Sequence, residues 1–460
     1  MKLLYTLNEK PPFGVSLFLA LQHMLASIGG IVAVPLIVGG AIGLAPADIV
    51  SLISAALFVS GVVTIIQCLG FGKQFGIRLP AVMGCSFAFL GTSIAIGLQH
   101  GIAGVMGAAL VGSFVVIIAS FYMTQIRKLF PNLVSGVVVT LIGLTILPVA
   151  MDWIGDAPAG SAEFAQLENI FLAFISLAIV MAVSVYCKGA IAASAIVIGL
   201  VGGYLIAIPM GMVDTSQIGS SAWFSAPEPL KFGLTFSPAA IISMSLVYIV
   251  VVAEAMGDFM ALGNGCHKKL DGKDMKRGLL VDGLGSTFGA LMTSMPVATF
   301  SQNVGIVGIS GVASRFVVAG TGALLILGGI FPKFAALAVT VPKPVLGGVG
   351  FVMFGMIAYA GIRMLMQSAD SRRNAIVICV GLASGMAVTM RPDLLQHFHP
   401  DLQMVFHSGI TTGTLATVVL NLILPKSKST PDNEEIITAT SMLKKAAKED
   451  KPQVHIPSEV

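Results

Sequence analysis

The chain has 460 residues, of which 56% are hydrophobic and 10% charged, with a formal net charge of +4 and a mean hydropathy of +0.93. A soluble domain carries about 25% charged residues, so this balance excludes an ordinary soluble enzyme or nucleic-acid-binding module. The five cysteines, Cys68, Cys85, Cys187, Cys266 and Cys379, stand singly and form neither a disulfide framework nor a metal-ligand pattern, and no cofactor is implied.

Apolar runs of about twenty residues recur from Phe13 almost to Pro425, the pattern of a polytopic helical membrane protein. The first run continues past the length of a signal-peptide core and holds His23 with no clear cleavage site. Breaks at Gly/Pro clusters and charges predict spans near 13–38, 46–70, 79–98, 101–122, 131–152, 167–187, 189–212, 238–262, 278–293, 296–311, 316–331, 335–362, 374–391 and 404–424. The spans 79–98 and 296–311 are interrupted, and VPKP and GG break the pattern of 335–362. The chain divides into an N-terminus 1–12, a first set of seven spans 13–213, a loop 214–237, a second set 238–425 and a tail 426–460.

Basic residues cluster in alternate loops: Lys73 and Arg78, Arg127 and Lys128, Lys188, the run Lys268 to Arg277, Arg315, then Arg363, Arg372 and Arg373. The positive-inside rule makes those loops, and both termini, cytoplasmic, which places the protein in the cell (inner or plasma) membrane. An even span count follows, with twelve as well as about fourteen allowed. From Pro425 the composition becomes polar, and Thr430 and Pro431 predict the start of a short soluble helix in the cytoplasmic tail.

Of the 22 acidic residues, nearly all lie in loops, at the ends of predicted spans or in the tail; Glu254, Asp258 and Asp282 do not. A carboxylate at mid-membrane costs at least ~2.5 kcal/mol on insertion scales, so three of them need a purpose. Glu254 and Asp258 share a helix face at four-residue spacing, and Asp282 lies on the next span among small residues. The bland reading is that the acids pair with buried donors and hold helices together; against it, no Lys or Arg is embedded at comparable depth. His23, in LALQHMLAS, is the one embedded histidine and reads equally as a packing residue or a functional one, while the pair His397 and His399 has no third metal ligand near it.

The two interrupted spans match. RLPAVMGCSFAFLG, from Arg78, and SMPVATFSQNVGIVG, from Ser294, each carry a proline at the third position, with Ser86 six residues after Pro80 and Gln302 six after Pro296. They are third in each set of seven, and an odd repeat enters the membrane from opposite sides, so the halves are expected to be inverted. Broken spans at matching positions mark the central site of a transporter. Their free backbone groups and half-helix N-termini can recognise a polar ligand. Gln302 adds a donor and an acceptor, Asn303 can bridge the two broken segments, Phe87 offers a flat apolar face, and Glu254 can accept hydrogen bonds. Such a set suits a small, planar, polar heterocycle. The bland alternative is that the amides only satisfy the broken backbone.

At these residues the chain resembles the nucleobase–ascorbate transporter family, also called nucleobase–cation symporter family 2. Its signature is Gln, Glu or Pro, then Asn, any residue, Gly, four of any kind, Thr, and Arg, Lys or Gly. Residues Gln302 to Gly311 match it, with Ser310 in place of the threonine. The resemblance runs from LQH in the first span to GGVGFVMFGMIAYAGIR, ending at Arg363. It implies an all-α fold of fourteen spans in two inverted sevens, with short extended segments in spans 3 and 10, split into core and gate domains. It implies that Glu254 and Gln302 hold a base against Phe87; Ser86, which matches Gln302 in its spacing after the proline, is expected at the same site. It further implies that Asn303, His23 and Asp282 support site structure and transport, that Asp258 is linked to proton coupling, and that the protein forms a homodimer in the lipid bilayer. The Gln-Asn start is similar to xanthine and urate carriers, whereas uracil carriers tend to have Glu-Asn. FGIRLPAVM, SQNVG and GGVGFVMFGM look closest to urate-type members, and Asp258 and Gly311 to xanthine-type ones. The expected function is import of xanthine or uric acid by proton symport, with another nucleobase such as uracil as the alternative. Two rivals are weaker. An anion exchanger of the same architecture would want positive charge where this chain has acids, and an intramembrane aspartyl protease would rest on Asp258 and Asp282 with no supporting motif.

Overall fold

The computed structural model describes residues 3–425 except 123–130, 158–160, 189–190, 193, 302, 305–306, 308–310, 367, 369–370, 400–401, 404–405 and 407. The tail helix expected after Thr430 and the site residue Gln302 lie outside the described residues. Helices α1 (Phe13–Ala41) and α2 (Pro46–Leu69) lead into a three-residue strand β1 (Met83–Cys85) and a long helix α3 (Leu90–Phe121). Then come α4 (Asn132–Gly155), α5 (Leu167–Tyr186) and α6 (Ala195–Ala207). The second half holds α7 (Pro238–Gly265), α8 (Gly272–Leu291), β2 (Val297–Thr299), α9 (Arg315–Ile330), α10 (Pro332–Val339), α11 (Lys343–Met366), α12 (Arg372–Met390) and α13 (Gly409–Ile423). Eight described helices are long and apolar enough to cross a membrane, or nine if α9 and α10, bent by 82°, make one span; α6 and α13 are shorter apolar helices.

The boundaries follow local chemistry. Pro46 and Pro238 sit in the first turns of α2 and α7, where a missing N–H costs nothing. Asp271 caps α8 by accepting from Asp274 N at 2.7 Å, and Ser371 and Ser408 cap α12 and α13 in the same way. Gly101, at φ 65°, breaks α3 between the two spans predicted there. In the predicted span 335–362 only one of the two expected breaks occurs. The helix stops before Pro342 and restarts at Lys343, but Gly347 and Gly348 lie inside α11. Those glycines are packing surfaces: a Cβ on Gly347 would sit 2.7 Å from the Ala150 carbonyl, and one on Gly348 would strike the Ala173 backbone.

Helix contacts recur with the two halves exchanged. As α2 and α1 pack on α9, so α8 and α7 pack on α3. As α4 packs on α12 and α13, so α11 packs on α5 and α6; α4 and α11 pack on each other. Strand β1 rests on α1 and α2, and β2 on α7 and α8. Two sets of helices thus pack mainly among themselves: α1–α3 with α7–α9, and α4–α6 with α11–α13.

The loop between the halves straps the ends of the first set. Lys231 pairs with Asp48 of α2 at 2.9 Å, Leu230 N donates to Leu291 O, Thr235 N to Ala103 O, and Phe224 packs on Phe331. Close helix approach depends on glycine. Gly61 of α2 and Gly322 of α9 face each other, each where a Cβ would meet the other's carbonyl, at 2.7 Å for Gly322. Gly61→Leu is expected to cost about 1–3 kcal/mol by overpacking this contact. A melting temperature of the purified variant equal to that of the parent would contradict it.

Candidate functional site

The two interrupted spans meet at the centre of the first helix set. Pro80 and Pro296 lack an N–H and bias the preceding residues to extended backbone, so neither segment starts as a helix. Instead β1 and β2 pair antiparallel, with Met83 opposite Thr299, Gly84 opposite Ala298 and Cys85 opposite Val297. Thr299 follows Met83 by 216 residues, the offset that also separates Pro80 from Pro296. Outside the ladder, Phe300 N donates to Val82 O at 2.9 Å and Ser86 N to Pro296 O at 3.3 Å. Side chains complete the backbone: Thr64 Oγ1 accepts from Met83 N at 2.8 Å, and Ser286 Oγ donates to Val297 O at 2.6 Å. Non-helical backbone deep in the protein is thereby satisfied, which membrane depth requires. Gly84 is obligatory, because a Cβ would lie 2.7 Å from the Phe300 ring and 2.9 Å from Ile31.

After the strands the chain turns helical, and both segments reach the same carboxylate. Ser86 caps a single 3-10 turn, Phe87–Phe89, by accepting from Ala88 N at 3.2 Å, and its hydroxyl is 3.4 Å from Glu254 Oε2. From the other side the Ser301 hydroxyl lies within hydrogen-bond distance of Glu254 Oε1 at 3.1 Å and Asp258 Oδ2 at 2.8 Å. Glu254 of α7 is therefore straddled by the two broken spans. Glu254, Asp258 and Ser301 are half-buried, while Ser86 and Phe87 are buried. The Phe87 ring packs edge-on against Phe354 of α11, with centroids 5.4 Å apart and planes at 75°, a contact between the two helix sets.

The remaining expected residues surround this centre. Asp282 is buried and accepts from Gln67 Nε2 at 2.9 Å and from Thr299 Oγ1 at 3.2 Å. Gln67 also donates to Gly278 O at 3.2 Å and accepts from Ile77 N at 3.2 Å, so it joins the start of the first broken span to α8. Asp282 thus has the helix-tying contacts of the bland reading. The bridging expected of Asn303 is corrected. Its Nδ2 reaches α1, not the first broken segment, lying 3.2 Å from His23 O and 3.4 Å from His23 Nδ1. The 83–85 and 297–299 ladder and the Ser86–Glu254–Ser301 contacts bridge the segments instead. Asn303 Oδ1 and Gln22 Nε2 are buried with no partner among the described residues.

Among the described residues none of the three acids has an ion-pair partner, and no His/Cys/Asp/Glu group is arranged to hold a metal. The arrangement offers one carboxylate with two hydroxyl donors, a second carboxylate one helical turn away, and an aromatic face. It can accept hydrogen bonds from N–H donors of a flat ligand. Sequence reasoning did not single out Ser301, Gln67, Thr299 or Phe354. Ser301 stands next to Gln302 in the signature stretch, and Phe354 lies in GGVGFVMFGM, so each carried a signal of position though not of role.

The Permease family model Xan_ur_permease matches residues 14–394. A putative purine permease, CPE0397, of Clostridium perfringens is 39% identical over 95% of this chain and 96% of its own length. The uric acid transporter UacT of Escherichia coli is 39% identical over 89% of this chain and 86% of its own, and the xanthine permease of Bacillus subtilis 37% over 89% and 94%. Among solved structures, the transmembrane domain of the cyanobacterial bicarbonate transporter BicA aligns with a TM-score of 0.60 at 14% identity, covering 85% of this chain and 98% of that one, which is a likeness of fold. The chain belongs to the Permease family of nucleobase–ascorbate transporters and is an integral membrane transporter, not an enzyme.

Proposed function

We propose that the protein imports a purine nucleobase, xanthine or uric acid, by proton symport through alternating access. The observation that carries this reading is the Glu254 carboxylate held between hydroxyls of both broken spans. It presents acceptors to ring N–H donors, beside the Phe87 ring on which a flat base can lie. Glu254, Gln302, Phe87, Ser86 and Asn303 form the base site; Asp258 manages the proton, with Asp282 and His23 supporting the site. Relatives named as uric acid and xanthine permeases, at 39% and 37% identity, support the substrate class.

In this reading the two helix sets are a core, α1–α3 with α7–α9, and a gate, α4–α6 with α11–α13. The antiparallel pairing of β1 and β2 and the exchanged helix contacts support fourteen spans in two inverted sevens, 13–213 and 238–425. The loop 214–237 then lies outside, and both termini are cytoplasmic. Rocking of the core against the gate would slide Phe87 past Phe354 and open the site to alternate sides. An anion exchanger is disfavoured, because no Lys or Arg among the described residues contacts the acids.

Uptake of radiolabelled xanthine and uric acid by cells expressing the protein tests this directly. Accumulation of at least one base is expected to collapse with a protonophore and to survive removal of sodium. The reverse pattern would overturn the proton coupling, and no uptake of either base would overturn the substrate.

A further inference from the structure

Ser301 places one hydroxyl between two carboxyls, 3.1 Å from Glu254 Oε1 and 2.8 Å from Asp258 Oδ2. A serine hydroxyl has one hydrogen to donate. Both contacts are hydrogen bonds at once only when one carboxyl brings a hydrogen of its own. With both ionised, one contact would set two oxygens together with nothing between them. The trio is complete with a single proton shared by two acids.

We propose that Ser301 is a positioning residue that relays this proton from Glu254 to Asp258 when the base binds, tying substrate occupancy to proton occupancy; the proposal rests on the reading of Glu254 as the base-holding acid. In the empty site Glu254 carries the proton and donates to Ser301 Oγ, whose own hydrogen points to the Asp258 carboxylate. A base presenting N–H groups needs Glu254 as an acceptor. The Glu254 O–H bond breaks as a new bond forms to Ser301 Oγ, and the original Ser301 O–H bond breaks as one forms to Asp258 Oδ2. No proton is gained or lost, and the serine ends with its hydrogen toward Glu254. The bound base is then accompanied by a proton on Asp258.

The surroundings leave this path distinct. Ser86 serves the other oxygen of Glu254, and Asp282 on α8, the other acid acting on the pair, is held by Gln67 and Thr299. His23 on α1 faces Asn303. Among the described residues α3, α4 and α13, which also pack on α7, bring no titratable side chain into hydrogen-bond contact with either acid.

The test uses Ser301→Ala and Ser301→Thr in the full chain. Binding of radiolabelled xanthine and uric acid is measured from acid to neutral pH, with accumulation and exchange in vesicles. Ser301→Ala is expected to flatten the pH dependence of binding and to lower accumulation about tenfold more than it lowers base-for-base exchange, within the range a coupling free energy normally spans. Ser301→Thr restores the hydroxyl and is expected to restore both. Parental accumulation and pH profile in Ser301→Ala overturn the relay, as does equal impairment of both variants, which would mark a packing role. Glu254→Gln, measured alongside, separates the two levels. If it loses binding while Ser301→Ala behaves as the parent, the relay alone fails. If it keeps parental affinity, or neither base binds the parent, the reading of the site fails and the relay with it.

Discussion

Glu254→Gln is expected to weaken purine binding about ten- to a hundredfold while the protein stays folded and inserted. The substitution keeps the side chain's shape and one acceptor oxygen, so the packing on α7 is undisturbed. It removes the charge and replaces the second acceptor with a donor, which faces the hydroxyl of either Ser301 or Ser86. A hydrogen bond to a charged group is worth about 1.5–3 kcal/mol, and each 1.4 kcal/mol is tenfold in affinity. Gln302→Ala serves as a comparison, since it removes the other proposed contact to the base. Equilibrium binding on purified protein, with gel filtration as the control for folding, decides the matter. Parental affinity in a monodisperse Glu254→Gln preparation would move the site elsewhere.

What was legible in the sequence was whatever the membrane makes expensive. Three acids in apolar spans and a proline-led polar stretch stand out against their neighbours because lipid penalises them. Glu254, Asp258 and Ser86 do converge, and the short extended segments are there. The matched prolines already implied a two-fold relation, and the pairing of Met83 with Thr299 gives that relation its register. Residues that cost little stayed silent. Serines and threonines are common in membrane helices, where they bond back to their own turn, as Ser27 does to His23 O. Nothing in the sequence separates such a serine from Ser301. Gln67 was equally hidden, because its partners Ile77, Gly278 and Asp282 are brought together only by the fold. Glycines misled in the opposite sense: Gly347 and Gly348 read as breakers, but helix interiors tolerate glycine where a neighbouring backbone comes close.

The same contrast divides the embedded acids by role. Glu254 and Asp258 are half-buried and share a hydroxyl, whereas Asp282 is buried within a fixed set of donors. A group that must take up and release a proton needs access and a changeable partner. A group that joins Gln67 of α2, Thr299 of β2 and its own helix needs neither. On these contacts we propose Asp258 for coupling and Asp282 for holding the first helix set together.

Asp258→Asn is accordingly expected to bind xanthine or uric acid, to exchange labelled for unlabelled base, and to fail in accumulation driven by a proton gradient. Asparagine imitates a carboxyl that never releases its proton, and it can still donate to Ser301 Oγ across the 2.8 Å contact. A carrier fixed in that state can reorient when loaded but completes no proton cycle, and its binding should depend less on pH. Asp282→Asn keeps an acceptor oxygen for Gln67 Nε2 and is expected to retain accumulation. Asp282→Ala leaves Gln67 Nε2 and the Thr299 hydroxyl short of a buried partner, at about 1–3 kcal/mol for each unsatisfied group. Its loss should appear as a lower melting temperature and a lower yield, with pH dependence of transport unchanged in what survives. The decisive measurement is accumulation and exchange in vesicles for all three variants beside their melting temperatures. Proton-driven accumulation by Asp258→Asn together with its loss in a thermally normal Asp282→Asn would reverse the assignment. Full accumulation by both asparagine variants would leave Glu254 or His23 to carry the proton.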